Sequence, residues 1–270
     1  MTVKQWDFEE FKEQFKKRTS LDLNSYKQRQ MERRIRQLME REGCPGFYDF
    51  YRYLVDSDEA MNHFLTYLTI NTSGFFRDEH VYDKLQHHVL PELLRQHSHI
   101  NIWSAGCSNG EEPYTVAIIL EELNALDRAS IWASDFDRKA LERAQKGVYN
   151  SRQVEKVPPR SLQRSFSIEG DNYTIHSRFK KNITFQHQNL LKTFGKMREM
   201  HLIFCRNVFI YFKSDVQTDI IERFVNLLVP GGYLVIGCAE YISEAEKFNL
   251  ERVFSAVYRK NSSRPSSKYY

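Results

Sequence analysis

Apolar residues recur along this chain at two different periods, and the change of period divides it. Up to about residue 70 the spacing is helical. Phe8, Phe11 and Phe15 form one stripe; Met31, Ile35, Leu38 and Met39, preceded by Tyr26, form a second. Cys44-Pro45-Gly46 interrupts the pattern. Phe47, Phe50, Tyr51 and Leu54 begin a third stripe, and Ser57-Asp58 offer a cap before Met61, Phe64, Leu65 and Leu68. Helices alone are expected here. Asn71–Asp78 breaks the pattern, and a linking helix is predicted over 79–96.

From Ile100 onward short apolar runs alternate with helical segments. Strands are predicted at 100–105, 130–134, 182–186, 201–205, 233–237 and 253–258, and helices at 113–126, 138–146 and 214–228. This alternation predicts an α/β fold with a mostly parallel sheet and helices on both faces. Residues 150–182 depart from it. Pro158-Pro159 is followed by Gly170-Asp171-Asn172, flanked by Phe166, Ile168, Tyr173 and Ile175, which predicts a small inserted antiparallel hairpin. The expected organisation is an all-α domain over 1–78 that includes the start of a linker, an α/β domain over 79–260 with 150–182 as its inserted β-subdomain, and a flexible tail over 261–270.

Composition narrows the function classes. Aromatic residues make up 14% of 270, which argues for a packed chain rather than a disordered one. The net charge of +4 is too small to announce a nucleic-acid binder. No apolar run reaches the ~18 residues of a membrane span, and the first residues lack the apolar stretch of a secretory signal. A cytoplasmic protein without membrane insertion is expected. Cys44, Cys107, Cys205 and Cys238 are far apart and form no CxxC, so neither a metal site nor a disulfide framework is expected.

Candidate chemistry begins after the first predicted strand. Trp103-Ser104-Ala105 runs into Gly106-Cys107-Ser108-Asn109-Gly110, then Glu111-Glu112-Pro113 and a helix. A strand, a glycine turn and a helix let backbone approach a nucleotide-like ligand, with Gly106 in the turn. The run is not G-x-G-x-x-G, so a dinucleotide diphosphate is disfavoured. Asp135 follows the second strand, where such folds place a carboxylate on ribose hydroxyls. An adenosine ligand lacking a diphosphate fits, and S-adenosylmethionine fits best, with Glu111 near its positive charge. The plainer alternative is a tight turn and a helix cap. The same run also matches G-x-S-x-G, with Ser108 as a hydrolase nucleophile and His176, His187 or His201 as its base. Only helices precede it, however, and no HGGG-type loop appears.

Four segments, in order, carry a resemblance. Asn71–Asp78 is similar to a T-x-F-F-R segment; Ser104–Tyr114 ends in G-E-E-P-Y; Phe204–Phe212 reads F-C-R-N-V-F-I-Y-F; Pro230–Leu234 reads P-G-G-Y-L. Together they resemble the chemotaxis receptor glutamate methyltransferases, the CheR family. The resemblance implies a class I, Rossmann-like methyltransferase fold. It places Asn71, Ser73, Arg77, Glu111, Asp135, Asn189, Leu190, Arg206 and Asn207 on cofactor-contacting positions. Ser73 stands where many members carry Thr and keeps the hydroxyl; Gly74 departs from the pattern beside it. The implied reaction methylates glutamates on the cytoplasmic helices of chemoreceptors, yielding glutamyl methyl esters and S-adenosylhomocysteine, with no metal. A monomer is expected, acting on no nucleic acid.

That chemistry suits the residues. A glutamate acceptor is ionised near neutral pH and needs orientation more than a base. Arg77 is the candidate cation for it, and Tyr211, read as the end of the fourth strand, the candidate hydrogen-bond donor or methyl-path wall; a core aromatic is the alternative for Tyr211. Between Lys27 and Arg36, Arg29, Arg33 and Arg36 recur at i, i+4, i+7 and share a helix face. That face is either solvated or a docking surface for an acidic receptor helix. Two other functions stay open from sequence: a cofactor-binding sensor without catalysis, and methylation of a nucleic acid or small molecule, against which the lack of an N-P-P-Y loop counts.

Overall fold

Four helices carry the amino-terminal stripes: α1 (Phe8–Thr19), α2 (Gln28–Arg41), α3 (Phe47–Val55) and α4 (Asp58–Thr69). The structure, a computed structural model, describes residues 5–19, 21–69, 73–195 and 197–262. It divides into two units, Met1–Ile70 with Tyr211–Gln217, and Asn71–Ile210 with Thr218–Tyr270.

The first unit is held by aromatic packing. Phe8, Phe11, Phe15, Phe47, Phe50 and Phe64 are all buried. Each contributes ~1.5–3 kcal/mol by leaving water. Phe64 meets Phe15 and Phe50 edge-to-face, each pair at 5.3 Å between ring centroids. Ser57 caps α4 by accepting from the Ala60 amide. Of the predicted α4 stripe, Phe64 and Leu68 are buried while Met61 and Leu65 are half-buried, with Ala60 completing the inner face. Tyr211–Gln217 belongs to this unit through backbone bonds. Lys27 N donates to Tyr211 O at 2.9 Å and Lys213 N to Ser25 O at 3.0 Å.

The second unit opens with α5 (Glu79–Lys84), a π-helical turn at Leu85–Val89 and α6 (Leu90–Gln96), one run where a single helix was predicted. Then follow β1 (Ile100–Ala105), α7 (Glu111–Glu122), β2 (Ala129–Asp135), α8 (Arg138–Lys146), β3 (Val148–Tyr149), α9 (Ser151–Val154), α10 (Pro159–Ser165), β4 (Phe166–Glu169), β5 (Asn172–Ile175), α11 (Ser177–Lys180), β6 (Ile183–His187), β7 (Met200–Cys205), α12 (Ser214–Leu227), β8 (Leu228–Ile236), β9 (Leu250–Phe254) and β10 (Val257–Lys260). Seven strands form one sheet in the order β6-β2-β1-β7-β8-β10-β9. Its first five are mutually parallel, and β10 runs antiparallel to both neighbours. Central β7 is buried at every residue, and α7 is buried from Pro113 to Leu120, as a helix sandwiched against a sheet must be.

The inserted subdomain is a three-stranded antiparallel sheet, β3-β5-β4. The predicted hairpin supplies β4 and β5; two-residue β3 adds an edge that no turn signal announces. The strand predicted at 253–258 is corrected to two, β9 and β10, because Ala256 takes a left-handed φ of 62° and reverses the chain. Strand β8 starts five residues before its predicted beginning. Gly232 permits this: a Cβ there would stand 3.0 Å from Val229 O and 3.2 Å from His201 O, so only glycine allows the backbones so close. The expected tail lies outside the described residues except for Asn261 and Ser262.

Candidate active site

Strands β6, β2, β1 and β7 all end on one edge of the sheet. Chain order reverses at β1, with β2 on one side and β7 on the other, so the loops diverge there into a crevice. The turn Gly106–Gly110 fills this switch point. Gly106 and Gly110 have φ of 86° and 90°. A Cβ on Gly110 would lie 2.8 Å from Ala144 Cβ and 3.2 Å from the Tyr149 hydroxyl. The turn is fastened on both sides: Gly106 and Cys107 donate to Ser134 O, and the Tyr149 hydroxyl donates to Asn109 O at 2.8 Å.

Asp135 ends β2 inside this crevice and is 8% exposed. Its carboxylate accepts the Ser108 amide at 2.8 Å and the Asp137 amide at 2.9 Å, one on each oxygen. The Phe136 amide also faces this carboxylate, which leaves it capacity for a further donor. Burial pushes the carboxyl up to about 6 despite these amides. A buried acceptor pair with spare capacity suits the two vicinal hydroxyls of a ribose.

Glu111, the first residue of α7, is fully buried. Its two oxygens accept from the Ser73 hydroxyl and, at 3.0 Å, from Gln153 Nε2. The amino end of a helix favours a carboxylate there. The segment after Ser73 is then drawn onto α7: Phe75 is buried, and the Phe76 amide donates to Thr115 Oγ1 at 3.2 Å. Phe76 and Asp78 both take left-handed backbone, φ 50° and 61°, so a sharp turn presents Arg77. Asn71 lies outside the described residues.

Arg206 closes this turn from the opposite side. Its guanidinium donates to Arg77 O at 2.8 Å, Asp78 Oδ2 at 2.7 Å, the Tyr82 hydroxyl at 3.0 Å and Glu112 Oε2 at 3.5 Å. Glu112 in turn accepts from the Ser104 hydroxyl at 2.7 Å, and burial pushes its carboxyl up. The Arg206 side chain is 3% exposed; its two terminal nitrogens are taken up by protein groups, while its buried Nε–H has no hydrogen-bond partner among the described residues. Asn207 follows with φ 60° and donates its amide to Glu240 Oε2 at 3.0 Å. Glu240 also accepts from Gly237 at 2.7 Å and Ile210 at 3.1 Å. Asn189 and buried Leu190 follow β6, next to Asp135, which pairs in register with His187. Asn189 Oδ1 accepts from the Leu191 amide at 2.9 Å.

The structure thus gathers Ser73, Arg77, Gly106, Glu111, Asp135, Asn189, Leu190, Arg206 and Asn207 in the loops and helix starts of the second unit. Tyr211 is corrected in position. It stands six residues past the end of β7, in a 3₁₀ turn (Phe209–Tyr211), because Asn207 turns the chain out of the sheet direction, and it belongs to the first unit. In that unit Arg29, Arg33 and Arg36 are exposed on α2 and share one surface hollow. Arg36 is already paired with Glu32 at 2.7 Å and lies over the Phe47 ring, whereas Arg29 and Arg33 make no ion pair among the described residues. Of the hydrolase bases, His201 sits at the amino end of β7, the sheet edge opposite Ser108.

Sequence reasoning missed Gln153, Glu112, Tyr149 and Glu240. Only Gln153 had a local signal: with Asn150 it forms a capping box at the start of α9.

A sequence model of the CheR methyltransferase SAM-binding domain matches residues 71–257, and one of the CheR all-alpha domain matches 6–69. The chain is 34% identical over 255 residues to the chemotaxis protein methyltransferase of Listeria monocytogenes, covering 94% of this chain and 97% of that one. It is 36% identical over 231 residues to the chemotaxis protein methyltransferase of Salmonella typhimurium, covering 81% and 77%.

Proposed function

The chain belongs to the CheR family of S-adenosylmethionine-dependent methyltransferases, and from that premise we propose that it methylates glutamate side chains on the cytoplasmic helices of chemoreceptors, giving glutamyl methyl esters. It acts from the cytoplasm as a monomer. No helix among the described residues is long and apolar enough to cross a membrane.

One observation carries the reading. A buried carboxylate with spare acceptor capacity, Asp135, and a buried helix-start carboxylate, Glu111, flank the same glycine turn, and Ser73 ties Glu111 to the turn that presents Arg77. These residues fit the cofactor. When bound, S-adenosylmethionine supplies a methyl group on a cationic sulfur. Asp135 accepts from its ribose hydroxyls. Glu111 faces its amino group, with Ser73 and Gln153 holding the carboxylate in place. Asn189 and Leu190 border the base, and Asn207 supplies the wall on the β7 side. Arg206 contributes by fixing the Arg77–Asp78 turn through its two terminal nitrogens.

Arg77 orients the acceptor carboxylate by a charge-assisted hydrogen bond. No general base is required, because that carboxylate is ionised near neutral pH. Catalysis rests on holding nucleophile and methyl in line, a positioning effect worth up to ~7–11 kcal/mol. Tyr211 donates a hydrogen bond on the substrate side. Exposed Arg29 and Arg33 on α2, with Arg36, attract the acidic receptor helix.

The test is incubation with tritium-labelled S-adenosylmethionine and chemoreceptor-containing membranes. Base-labile radioactive methanol from the receptor band is expected. A protein that binds S-adenosylhomocysteine yet releases no such methanol would overturn the assignment of substrate.

A further inference from the structure

Next to the Ser73–Glu111–Gln153 contact the second unit carries a hollow of about 440 Å³. Ser73, Arg77 and Gln153 line it from the cofactor side. Arg152 and Lys156 line it from α9 and the turn after it, together with one carboxylate, Glu155. Arg77, Arg152 and Lys156 thus outnumber the opposing charge three to one. Arg152 and Lys156 are exposed and make no hydrogen bond or ion pair with any described residue. Two unpaired cations, four positions apart, beside the cation assigned to the acceptor carboxylate are a surplus that the fold itself does not use. Exposed Arg36 and Lys17, by contrast, are answered within their own helices.

We infer that Arg152 and Lys156 select the substrate: they bind the carboxylates that flank the acceptor glutamate on an acidic helix. Side chains three and four positions apart on a helix lie on one face about 5–6 Å apart. An acidic helix that presents one glutamate to Arg77 therefore brings its neighbours over the same rim of the hollow. Glu155 repels any wrongly seated carboxylate and favours one register. This inference rests on the proposed acceptor. It adds that the enzyme reads charge next to the target through the second unit, independently of α2.

The experiment compares two receptor-derived helical peptides carrying the same acceptor glutamate, one with flanking glutamates and one with those flanks changed to Gln. The wild-type enzyme and the variant Arg152→Glu/Lys156→Glu are assayed on both. Both positions are exposed, so folding survives, which circular dichroism and unchanged affinity for S-adenosylhomocysteine verify. The wild-type protein is expected to prefer the acidic flanks through KM. The variant is expected to raise KM for the acidic peptide by about tenfold or more, the equivalent of at least ~1.4 kcal/mol of lost attraction. Its KM for the Gln-flanked peptide should hardly move. Arg152→Lys should restore most of the preference when Lys156 is retained. Equal KM for both peptides with the wild-type enzyme, or an unaltered preference in the variant, overturns the inference and leaves the acceptor assignment standing. No methylation of either peptide or of full-length receptor by the wild-type enzyme would overturn the acceptor assignment as well.

Discussion

Replacing Arg206 by Met removes a buried cation and keeps much of its apolar stem. Four donated hydrogen bonds vanish, to Arg77 O, Asp78, Tyr82 and Glu112. The two acidic partners are not equally affected. The Asp78 side chain is 31% exposed, and water replaces much of what it loses, while Glu112 is 13% exposed and keeps little solvation. Removing one member of a buried pair leaves the other charge uncompensated, which costs ~3–5 kcal/mol. For a unit of this size that corresponds to a drop of roughly 6–20 °C in Tm. Urea unfolding followed by the fluorescence of Trp103 and Trp132, both in this unit, measures it. The pH dependence supplies an internal check. Burial already pushes the Glu112 carboxyl up, and the Arg206 charge opposes that rise. Without the cation Glu112 takes a proton more readily, so the deficit should be largest at alkaline pH and shrink as pH falls. Affinity for S-adenosylhomocysteine should fall too, because the Arg77 turn loses its fastening. A loss under ~1 kcal/mol, or a deficit that grows on acidification, would refute the view of Arg206 as the bolt of this site.

Further outcomes follow from other residues. Asp135 has its carboxyl raised to about 6, so it gains a proton as pH falls through that value, and S-adenosylhomocysteine affinity should hold above it and decline below it. Asp135→Ala should lose roughly 1–3 kcal/mol of affinity and abolish that pH arm in calorimetry; an unchanged arm removes Asp135 from the site. Gly110→Ala must fit a Cβ at φ 90° only 2.8 Å from Ala144, so it should lower stability by more than ~1 kcal/mol and weaken cofactor binding. A normal melting curve would contradict this. Tyr211→Phe should reduce turnover at unchanged cofactor affinity; equal turnover makes Tyr211 a packing residue. Changing Arg29, Arg33 and Arg36 together to Glu should abolish receptor methylation with cofactor binding intact, and wild-type methylation should weaken with salt, since exposed charges are screened over ~8–10 Å. Normal methylation by the triple variant would make the face merely solvated.

What could be read from the chain beforehand follows the range of the interactions. The strands β1, β2, β6 and β7, the hairpin and α8 were legible because periodicity and turn residues are local. The split between β9 and β10 was not, since Ser255-Ala256 carries no turn signal and the left-handed Ala256 is imposed by strand pairing. The juxtaposition of the glycine turn and Asp135 was readable because their spacing is fixed by one βαβ unit. The role of the Arg206 side chain was hidden. Its partners Asp78, Tyr82 and Glu112 lie 94 to 128 residues away in sequence, so no local pattern connects them. Gln153 was equally opaque: its capping box is local, but its bond to Glu111 spans 42 residues.

The Glu240 carboxylate stitches two strand ends together. By accepting from Gly237, Asn207 and Ile210 it joins the exit of β8 to the exit of β7 through a single side chain. Neither loop can lift from the sheet without leaving the other short of an acceptor. In hydrogen–deuterium exchange these three amides should therefore open as one kinetic unit, with a common protection factor, although they are separated along the chain by as many as thirty residues. The Asn207 backbone, just past β7, thus inherits the rigidity of the sheet core.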